Sequence, residues 1–314
     1  GVLFSTYDFR EGEETLLLPL PLYHIYAFNA CLGMLARGGH TVLVPNPRDL
    51  KSLVAAFRNS GCTGFAGLNT LFVALCNDAD FRAVDFSRLK LTMSGGMALT
   101  MAAAGRWKEV TGVEIVEGYG MSETSPVISV NPVNANRLGT IGIAVPSTEV
   151  RIVDDNGNEV AAGEPGELVV RGPQVMLGYW NQPGETAKVL SPDGWLHTGD
   201  VAVVTPEGYL KIVDRKKDMV VVSGFNVYPN EIEEVVVAHP DVLECAAVGI
   251  PDERTGEALR VFVVPRHAGL TPEALREFCR ENLTGYKMPR EFVIRAELPK
   301  TNVGKILRRE LRDQ

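Results

Sequence analysis

Cysteine and histidine are scarce in this 314-residue sequence, and neither is spaced as a metal site requires. The cysteines lie far apart and form no Cys-x-x-Cys pair: Cys31, Cys62, Cys76, Cys245 and Cys279. This pattern predicts reduced thiols in the core of a cytosolic protein and excludes a disulfide framework. The five histidines are equally scattered, so a zinc site is not predicted. The sequence also has no internal repeat and no low-complexity segment.

Positive charge is in deficit over most of the chain. The sequence has 31 lysines and arginines against 39 aspartates and glutamates, which gives a net charge of −8. Such acidity argues against general nucleic-acid binding. Residues 281–314 are an exception, with eight basic and five acidic residues and a net charge of +3. This basic end is either an ordinary solvated surface or, as the sharper alternative, a site for an anionic ligand.

Long apolar runs are also rare, and only residues 16–36 suggest a membrane-spanning helix. Pro19 and Pro21 interrupt this run. His24 and Asn29 would be costly to place in hydrocarbon. We therefore predict a buried strand that leads into a buried helix. No signal peptide is visible, and because the chain begins with glycine rather than methionine we expect a fragment of a longer protein.

The first part of the chain alternates short apolar runs with helical stretches. The strand candidates are TLLLPLP, HTVLVP, TGFAG, LKLTMSG and VEIVEGYG. A helix between two of them has Asp49 as its N-cap and Gly61 as its C-terminal stop. Alternation of this kind predicts an α/β unit with a mostly parallel sheet covered on both faces.

Two loops with suitable chemistry follow strands of this predicted sheet. The segment SGGM at 94–97 follows one strand, and GYGMSET at 118–124 follows a later one. Ligands bind beyond the carboxyl ends of strands in such sheets. One helix joins the two strands, so we expect both loops to open on the same edge and to share a crevice with Glu123.

The residue types in this crevice suit a nucleotide, although they also suit simple turns. Gly95 and Gly96 would let the backbone approach a ring or a phosphate closely. Glu123 could bind Mg²⁺, which usually keeps waters and substrate phosphates as its other ligands. Tyr119 could stack on a base. The alternative is that both loops are tight strand-to-helix turns and that Glu123 is an exposed charge.

The later parts of the chain have different predicted patterns of secondary structure. Residues 138–213 predict an antiparallel barrel-like or meandering subdomain, with an Asn-Gly hairpin signal at 156–157. The charged segment 214–218 predicts a linker, and 219–314 predict a small α+β domain. We therefore expect a partial N-terminal domain over 1–213, divided into 1–137 and 138–213, before the linker and the C-terminal domain.

Three charged residues outside the crevice each have a functional and an ordinary interpretation. Asp200, at the end of a polar turn, could accept hydrogen bonds from both ribose hydroxyls, or it could accept them from local backbone amides. Arg215 could offer a planar donor fork to a sugar or phosphate, or belong to a solvated linker. Lys305 follows a turn-rich loop and could reach an anion, or be an ordinary surface lysine before a terminal amphipathic helix.

Several stretches occur in an order that is highly specific when taken together. They are PLYHIYA, EGYGMSETSP, GELVVRGPQVMLGYWNQP, GWLHTGD, IVDRKKDMVVVSGFNVYPNEIE and PKTNVGKILRREL. This series closely resembles the motifs of AMP-forming acyl-CoA synthetases in the adenylate-forming family. It is most similar to those of bacterial long-chain fatty-acid–CoA ligases, and the resemblance spans essentially the whole chain.

The resemblance implies roles for individual positions. The implied nucleotide-binding residues are Gly95, Gly96, Met97, Gly118, Tyr119, Gly120, Met121, Ser122, Asp200, Ile212 and Arg215. In this set Tyr119 would stack on adenine, Ser122 would bond phosphate and Ile212 would lie beside the base. Asp200 and Arg215 would hold the ribose hydroxyls.

The implied catalytic residues are Lys305, Glu123 and His24. Lys305 would bridge the substrate carboxylate and the α-phosphate, and Glu123 would ligate Mg²⁺. His24 would lie near the acyl carboxylate.

The family reaction has two halves and implies ATP, Mg²⁺, coenzyme A and a fatty acid as cofactors and substrates. A carboxylate attacks ATP to give acyl-adenylate and pyrophosphate, and the thiol of coenzyme A then displaces AMP. Between the halves, the C-terminal domain would swing about a hinge at Lys217. The loop that would then line the pantetheine channel is Ser223, Gly224, Phe225 and Asn226.

One departure from the family pattern concerns the Ser/Thr/Gly-rich loop that grips the β- and γ-phosphates. It lies upstream of the PLYHIYA motif in the family, and it does not occur in this sequence. We therefore expect a truncated chain whose ATP turnover is in doubt. Two alternatives stay open: an adenylating ligase that loads a carrier protein, and a non-catalytic nucleotide-binding fragment. The expected location is the cytoplasm, with contact at the inner face of the membrane as an option.

Overall fold

The computed structural model describes residues 9–301 and 305–312. The chain divides into two compact units. The first comprises Gly1–Thr198 and Val203–Ile212, and the second comprises Gly199–Ala202 and Val213–Gln314. This division is close to the predicted one, but it assigns four residues around Asp200 to the second unit. The internal boundary at 137/138 and the hinge at 214–218 stay predictions.

Within the described part of the chain, seven strands form the main sheet of the first unit. They are β1 (Thr15–Leu18), β2 (His40–Leu43), β3 (Gly64–Gly67), β4 (Leu91–Ser94), β5 (Ile115–Gly120), β6 (Val127–Val130) and β7 (Ile143–Ala144). The sheet has the order β2-β1-β3-β4-β5-β6-β7. Strands β2 to β5 and β1 pair in parallel, whereas β6 and β7 add antiparallel strands at one edge. The predicted mostly parallel sheet, with all five strand candidates, is confirmed.

Helices connect the parallel strands, as the alternating pattern predicts. They are α1 (Ile25–Ala36), α2 (Leu50–Ser60), α3 (Asn69–Asn77), α4 (Ala79–Arg82) and α5 (Met101–Thr111). A further helix, α6 (Pro183–Val189), lies later in the chain, after Arg171 and before Leu196. Helix α2 begins after Asp49, whose carboxylate accepts a hydrogen bond from the amide of Ser52. It ends at Gly61, which has a left-handed φ of 57°. Both predicted caps are therefore confirmed.

The two faces of the main sheet bury different side chains because successive strand residues point to opposite sides. Leu17 and Phe65 face an aromatic cluster in which the Phe65 and Trp107 rings stack at 5.4 Å. The Trp107 indole also donates to the hydroxyl of Thr92 on β4, at 3.1 Å. On the other face, Leu16 and Leu18 pack in the cluster that contains residues of α1.

Helix α1 departs from the expected buried helix. Ala27 and Met34 are buried, but Phe28, Leu32 and Leu35 are 48%, 47% and 62% exposed. The apolar composition predicted burial all round, whereas the described residues cover one face only. Among these residues, no helix combines the length and the apolarity that crossing a membrane would need.

The second sheet has the order β11-β10-β9-β8, so neighbours in sequence are neighbours in the sheet. Its strands are β8 (Glu149–Val153), β9 (Gly166–Arg171), β10 (Leu196–Val204) and β11 (Leu210–Arg215). Of the two expected forms, barrel or meander, the described residues form an open meander. The Asn-Gly turn is confirmed: Gly157 has a φ of 81°, and Val153 bridges Glu159 across it.

The second unit is the predicted small α+β domain. Its strands are β12 (Val220–Val222), β13 (Phe225–Val227), β14 (Val242–Asp252), β15 (Gly256–Pro265) and β16 (Glu291–Ile294). Its helices are α7 (Pro229–Val237), α8 (Pro272–Asn282) and α9 (Arg308–Arg312). The sheet has the order β13-β12-β15-β14, and β16 pairs in parallel with β15. Strands β13 and β16, of three and four residues, were not predicted from the sequence.

Two glycines allow a matched test of the fold. A β-carbon at Gly120 would overlap the carbonyl of Pro126, which accepts the Met121 amide at 2.9 Å. We expect Gly120→Ala to lower the free energy of unfolding by about 1–3 kcal/mol, because the backbone must move. In the exposed middle of α5, Gly105 has no atom within 4 Å of an added β-carbon. Gly105→Ala should raise the free energy of unfolding by about 0.5–1 kcal/mol. Urea denaturation of both variants checks this, and equal effects would contradict it.

Candidate active site

The two glycine-containing loops leave neighbouring strands. In the parallel pairing of β4 with β5, Ser94 lies opposite Glu117. The loop 94–97 and the segment from Gly118 onward therefore begin side by side, at the carboxyl ends of both strands. The prediction that they open on the same edge of the sheet is confirmed by this register.

The beginning of helix α1 lies beside the first loop. The Tyr26 hydroxyl donates to the carbonyl of Met93 at 3.1 Å. A β-carbon at Gly95 would lie 3.5 Å from the Tyr26 ring and 3.6 Å from the carbonyl oxygen of Gly118. The two loops and Tyr26 therefore approach one another at Gly95, and a glycine keeps that space open.

His24 has a structural role at this point. It is the N-cap of α1, and its Nδ1 accepts a hydrogen bond from the amide of Tyr26 at 3.3 Å. Tyr26 itself was not among the predicted site residues, although it belongs to the quoted PLYHIYA motif. Burial raises the pKa of its phenol well above the ordinary value, so it is a hydrogen-bond donor at neutral pH.

The remaining predicted nucleotide residues of the first unit differ in their surroundings. Gly96 has a left-handed φ of 81°, and Met97 packs against the cluster that contains α1 residues. Gly118 and Tyr119 are half-buried at the end of β5, opposite Val130 and Ser129 of β6. A bulge between Tyr119 and Gly120 lies just before the end of the strand.

Glu123 lies in a one-turn 3₁₀ helix, Ser122–Thr124, directly after β5. The main chain around it is fixed, because Met121 donates its amide to Pro126 and the Glu123 carbonyl accepts from Met176. The carboxylate is half-buried, and its Oε1 accepts a hydrogen bond from the Tyr179 hydroxyl at 2.9 Å. Tyr179 was missed as a site residue, although it belongs to the quoted LGYWNQP stretch.

The surroundings of Glu123 fit a magnesium ion that has few protein ligands. Among the described residues, its Oε2 has no hydrogen-bond or ion-pair partner, and no three His, Cys, Asp or Glu side chains form a metal-binding group. The protein would thus offer a single carboxylate here. Mg²⁺ favours such sites, because it retains several waters and binds substrate phosphates.

Glu117 is a second carboxyl group that the sequence interpretation overlooked. It is 8% exposed and accepts a hydrogen bond from the amide of Gly139 at 3.1 Å. Burial raises its pKa to about 7, and hydrogen bonds from Gly139 and Leu99 oppose this shift. Glu117 therefore holds the segment around Gly139 against β5, immediately before the predicted adenine loop.

Three predicted residues come together in the second unit. The Nε of Arg215 lies 3.7 Å from Oδ1 of Asp200, whose side chain is 19% exposed. Lys305 interacts electrostatically with both. Asp200 lies within strand β10, and not at the end of a turn as expected, because β10 begins at Leu196, inside the GWLHTGD motif, and continues to Val204.

Lys305 is half-buried rather than an ordinary surface lysine. Burial lowers the pKa of its ammonium group, and the nearby Arg215 lowers it further, while Asp200 opposes both effects. Its backbone is held by hydrogen bonds to Thr301. Thr301 donates its amide to the Lys305 carbonyl at 2.8 Å, and the Lys305 amide donates to the Thr301 hydroxyl at 3.1 Å. Residues 302–304 lie outside the described residues.

The other predicted positions are also described. Ile212 is half-buried on β11, and Lys217 is exposed in a 3₁₀ turn, Lys216–Asp218. Ser223 and Gly224 form the tip of the β12–β13 hairpin, with φ of 51° and 83°. The predicted coenzyme A loop, Ser223 to Asn226, is exposed along its whole length.

Two family models of known proteins match most of the chain. The model described as AMP-binding enzyme matches residues 2–180, and the model of the AMP-binding enzyme C-terminal domain matches residues 231–305. The chain belongs to the AMP-binding enzyme family.

The relatives of this AMP-binding enzyme include bacterial ligases. The chain is 54% identical to a long-chain-fatty-acid–CoA ligase of Escherichia coli O157:H7 over 96% of its own length. It is 40% identical over 98% of its length to a ligase of the same name from Bacillus subtilis. These matches cover 54% and 55% of the relatives. The chain thus spans about half the length of the curated relatives it matches.

Solved structures of similar proteins share the fold. ATP-bound MatB from Rhodopseudomonas palustris has a TM-score of 0.91 and 30% identity, over 99% of this chain and 62% of that one. An anthranilate CoA ligase in complex with anthranoyl-AMP has a TM-score of 0.90 and 31% identity, over 99% and 61%. The mixed α/β fold of this AMP-binding enzyme is therefore shared with both of these structures. The roles of its individual residues stay predictions.

Glu117 predicts an unusual dependence of stability on pH. Its pKa is higher in the folded protein, about 7, than the ordinary 4.5, so the folded state keeps a proton that the unfolded state loses. The free energy of unfolding should therefore fall as pH rises from about 4.5 to 7. Glu117→Gln should remove this pH dependence. From pH 5 to pH 8, the free energy of unfolding of the variant should rise relative to that of the parent by up to about 3 kcal/mol. Urea denaturation at both pH values measures it.

Glu114→Gln is the matched control. Lys108 and Asn136 lower the pKa of the exposed Glu114, so its stabilisation is lost as pH falls and the pH dependence has the opposite sign. A Glu117→Gln variant whose difference from the parent is the same at pH 5 and pH 8 would overturn the prediction.

Proposed function

We propose that this chain is the larger part of the catalytic core of a fatty-acid–CoA ligase. The full-length enzyme would join a fatty acid to coenzyme A in two steps, with ATP converted to AMP and pyrophosphate. The identity of 54% to a long-chain-fatty-acid–CoA ligase over 96% of the chain is the observation that carries this proposal. Because the chain spans about half of such relatives, the activity is proposed for the complete protein.

In the first step the carboxylate oxygen of the fatty acid attacks the α-phosphorus of ATP. A new P–O bond forms, and the bond to pyrophosphate breaks. Two anions must approach each other, so the site has to supply positive charge and alignment. Lys305 would supply that charge, and its half-buried position beside Asp200 and Arg215 supports this role. Asp200 and Arg215 would hold the ribose.

The first unit would bind the adenine and the metal. Gly95, Gly96 and Tyr119 would accept the ring, and the hydrogen bond from Tyr179 would keep Glu123 aimed at the metal. Bound Mg²⁺ would neutralise phosphate charge and orient the phosphates. His24 would lie near the acyl carboxylate. It would also keep Tyr26 in place, because its Nδ1 accepts the Tyr26 amide at the start of α1.

In the second step the thiol sulfur of coenzyme A attacks the acyl carbon. A thioester bond forms, the bond to the phosphate oxygen breaks and AMP leaves. The exposed Ser223–Asn226 hairpin is suited to line a channel, because left-handed residues give it a compact tip and Phe225 stacks on Tyr286 at 4.7 Å. We propose Lys217, which is exposed, as the hinge between the two steps. The proposed domains are 1–213 and 219–314, and the proposed location is the cytoplasm.

The function is tested with the full-length protein, ATP, Mg²⁺, a long-chain fatty acid and free coenzyme A. Formation of acyl-CoA and AMP supports the proposal. Adenylate without acyl-CoA would favour transfer to a carrier protein instead. For the present chain, calorimetric titration with AMP separates a nucleotide-binding fragment from an inert one, because the adenine and ribose residues are all present.

Lys305→Ala in the full-length protein should slow adenylate formation by about 100-fold, because a charge aligned with the transition state is lost. Formation of acyl-CoA from supplied acyl-adenylate should change by less than about threefold, since Lys305 would act only in the first step. Lys188→Ala is the control, as this exposed lysine pairs with Glu185 on α6. Equal losses in both steps would contradict the proposed role.

A further inference from the structure

A polar cluster in the second unit connects the predicted linker with the chain that follows Lys305. Its centre is Arg308, whose side chain is 18% exposed. The guanidinium donates to both carboxylate oxygens of Glu233 at 2.8 and 2.7 Å, and to Oδ1 of Asn230 at 2.6 Å. Its Nη1 lies 3.6 Å from Asp214 and 3.5 Å from Asp218.

Arg308 lies within ion-pair distance of all three carboxylates of this cluster, Asp214, Asp218 and Glu233. Asp214 is fully buried, and its Oδ2 accepts the amide of Asn230 at 2.8 Å. Asp218 also pairs with Arg312 at 2.6 Å. Burial raises the pKa of both Asp214 and Glu233, and Arg308 opposes this shift in each case. Removing Arg308 would leave buried acids uncompensated.

The cluster has a geometrical consequence for Lys305. Arg308 follows Lys305 by three residues, and the Leu307 amide between them donates to the Pro299 carbonyl at 2.9 Å. Asp214 precedes Arg215 directly, and Arg215 is a neighbour of Lys305. The single guanidinium therefore holds the segment that carries Lys305 and the strand end that carries Arg215.

We infer that Arg308 is a positioning residue that holds Lys305 beside Asp200 and Arg215 for the adenylation step. The inference rests on the proposed function. Asp214 and Asp218 flank the proposed hinge residue Lys217. Rotation of the backbone at Lys217 would move one carboxylate relative to the other, so Arg308 cannot keep both ion pairs. These ion pairs thus favour the arrangement for the first step, and at least one of them must break before the second.

The test uses the full-length protein and measures the two half-reactions separately. Arg308→Met should slow adenylate formation at least about tenfold through kcat, with the KM for ATP little changed, because Lys305 loses alignment. Formation of acyl-CoA from supplied acyl-adenylate should stay within about twofold. Arg308→Lys, which retains the charge without the fork, should lie between Arg308→Met and the parent.

A double variant separates positioning from general stability. If Arg308 acts through Lys305, Arg308→Met combined with Lys305→Ala should be no slower than Lys305→Ala alone. The inference would be overturned if the rate loss of the double variant were the product of the two single losses. Equal losses of Arg308→Met in both half-reactions would also overturn it. Arg260→Met is the matched control, because Arg260 is 21% exposed and pairs with Glu291 at 2.6 Å in the same unit. It should leave the ratio of the two half-reaction rates unchanged.

Hydrogen exchange gives a readout that does not require activity. In the present chain, the amides of Lys305 and Leu307 should exchange at least about tenfold faster in Arg308→Lys than in Arg260→Met. Unchanged exchange there would overturn the inference even if the parent protein is active. Faster exchange in a protein that forms no adenylate would instead refute the proposed function, while still supporting the claim that Arg308 holds the segment that carries Lys305. If Arg308→Met does not fold, Arg308→Lys decides both measurements.

Discussion

Parallel main-chain pairing of β4 with β5 determines where the candidate site of the first unit can form. Hydrogen-bonded strands lie about 4.8 Å apart, so two loops that leave adjacent carboxyl ends must begin as close neighbours. The register sets Ser94 opposite Glu117, and this brings Gly95 and Gly118 together. On one face, Trp107 stacks on Phe65 of β3 and donates to Thr92 of β4. On the other face, the Tyr26 hydroxyl donates to the Met93 carbonyl, just before the first loop.

In the second unit, one strand end serves two charged clusters. Successive side chains of a strand point to opposite faces. At the end of β11, Asp214 therefore faces Arg308 in a buried cluster, while Arg215 faces Asp200 beside Lys305. The buried cluster fixes the backbone, and the more exposed one offers its charges to a ligand. A buried ion pair contributes little net stability, so we interpret the first as a device for geometry.

Much of the fold was predictable from local pattern, whereas several interactions of the site were not. The alternation of apolar runs with helical stretches predicted all five parallel strands. Asp49 and Gly61 predicted the two ends of α2. The largely apolar α1 was wrongly predicted to be buried, because composition does not reveal which face has a partner. Tyr26, Tyr179 and Arg308 lay in quoted motifs but were not singled out, since each contacts a residue that is distant in sequence.

The sequence by itself determined the family, the strand and helix segments and the residue types available for adenylate chemistry, because these depend on motif order and on local periodicity. Only the tertiary structure decided which groups meet. Asp200 approaches Arg215, and Tyr179 approaches Glu123 over 56 residues of chain. It also decided which groups lose water, and hence the raised pKa of Glu117 and the lowered pKa of Lys305. Desolvation and long-range pairing depend on distances in space, which no local stretch of sequence specifies.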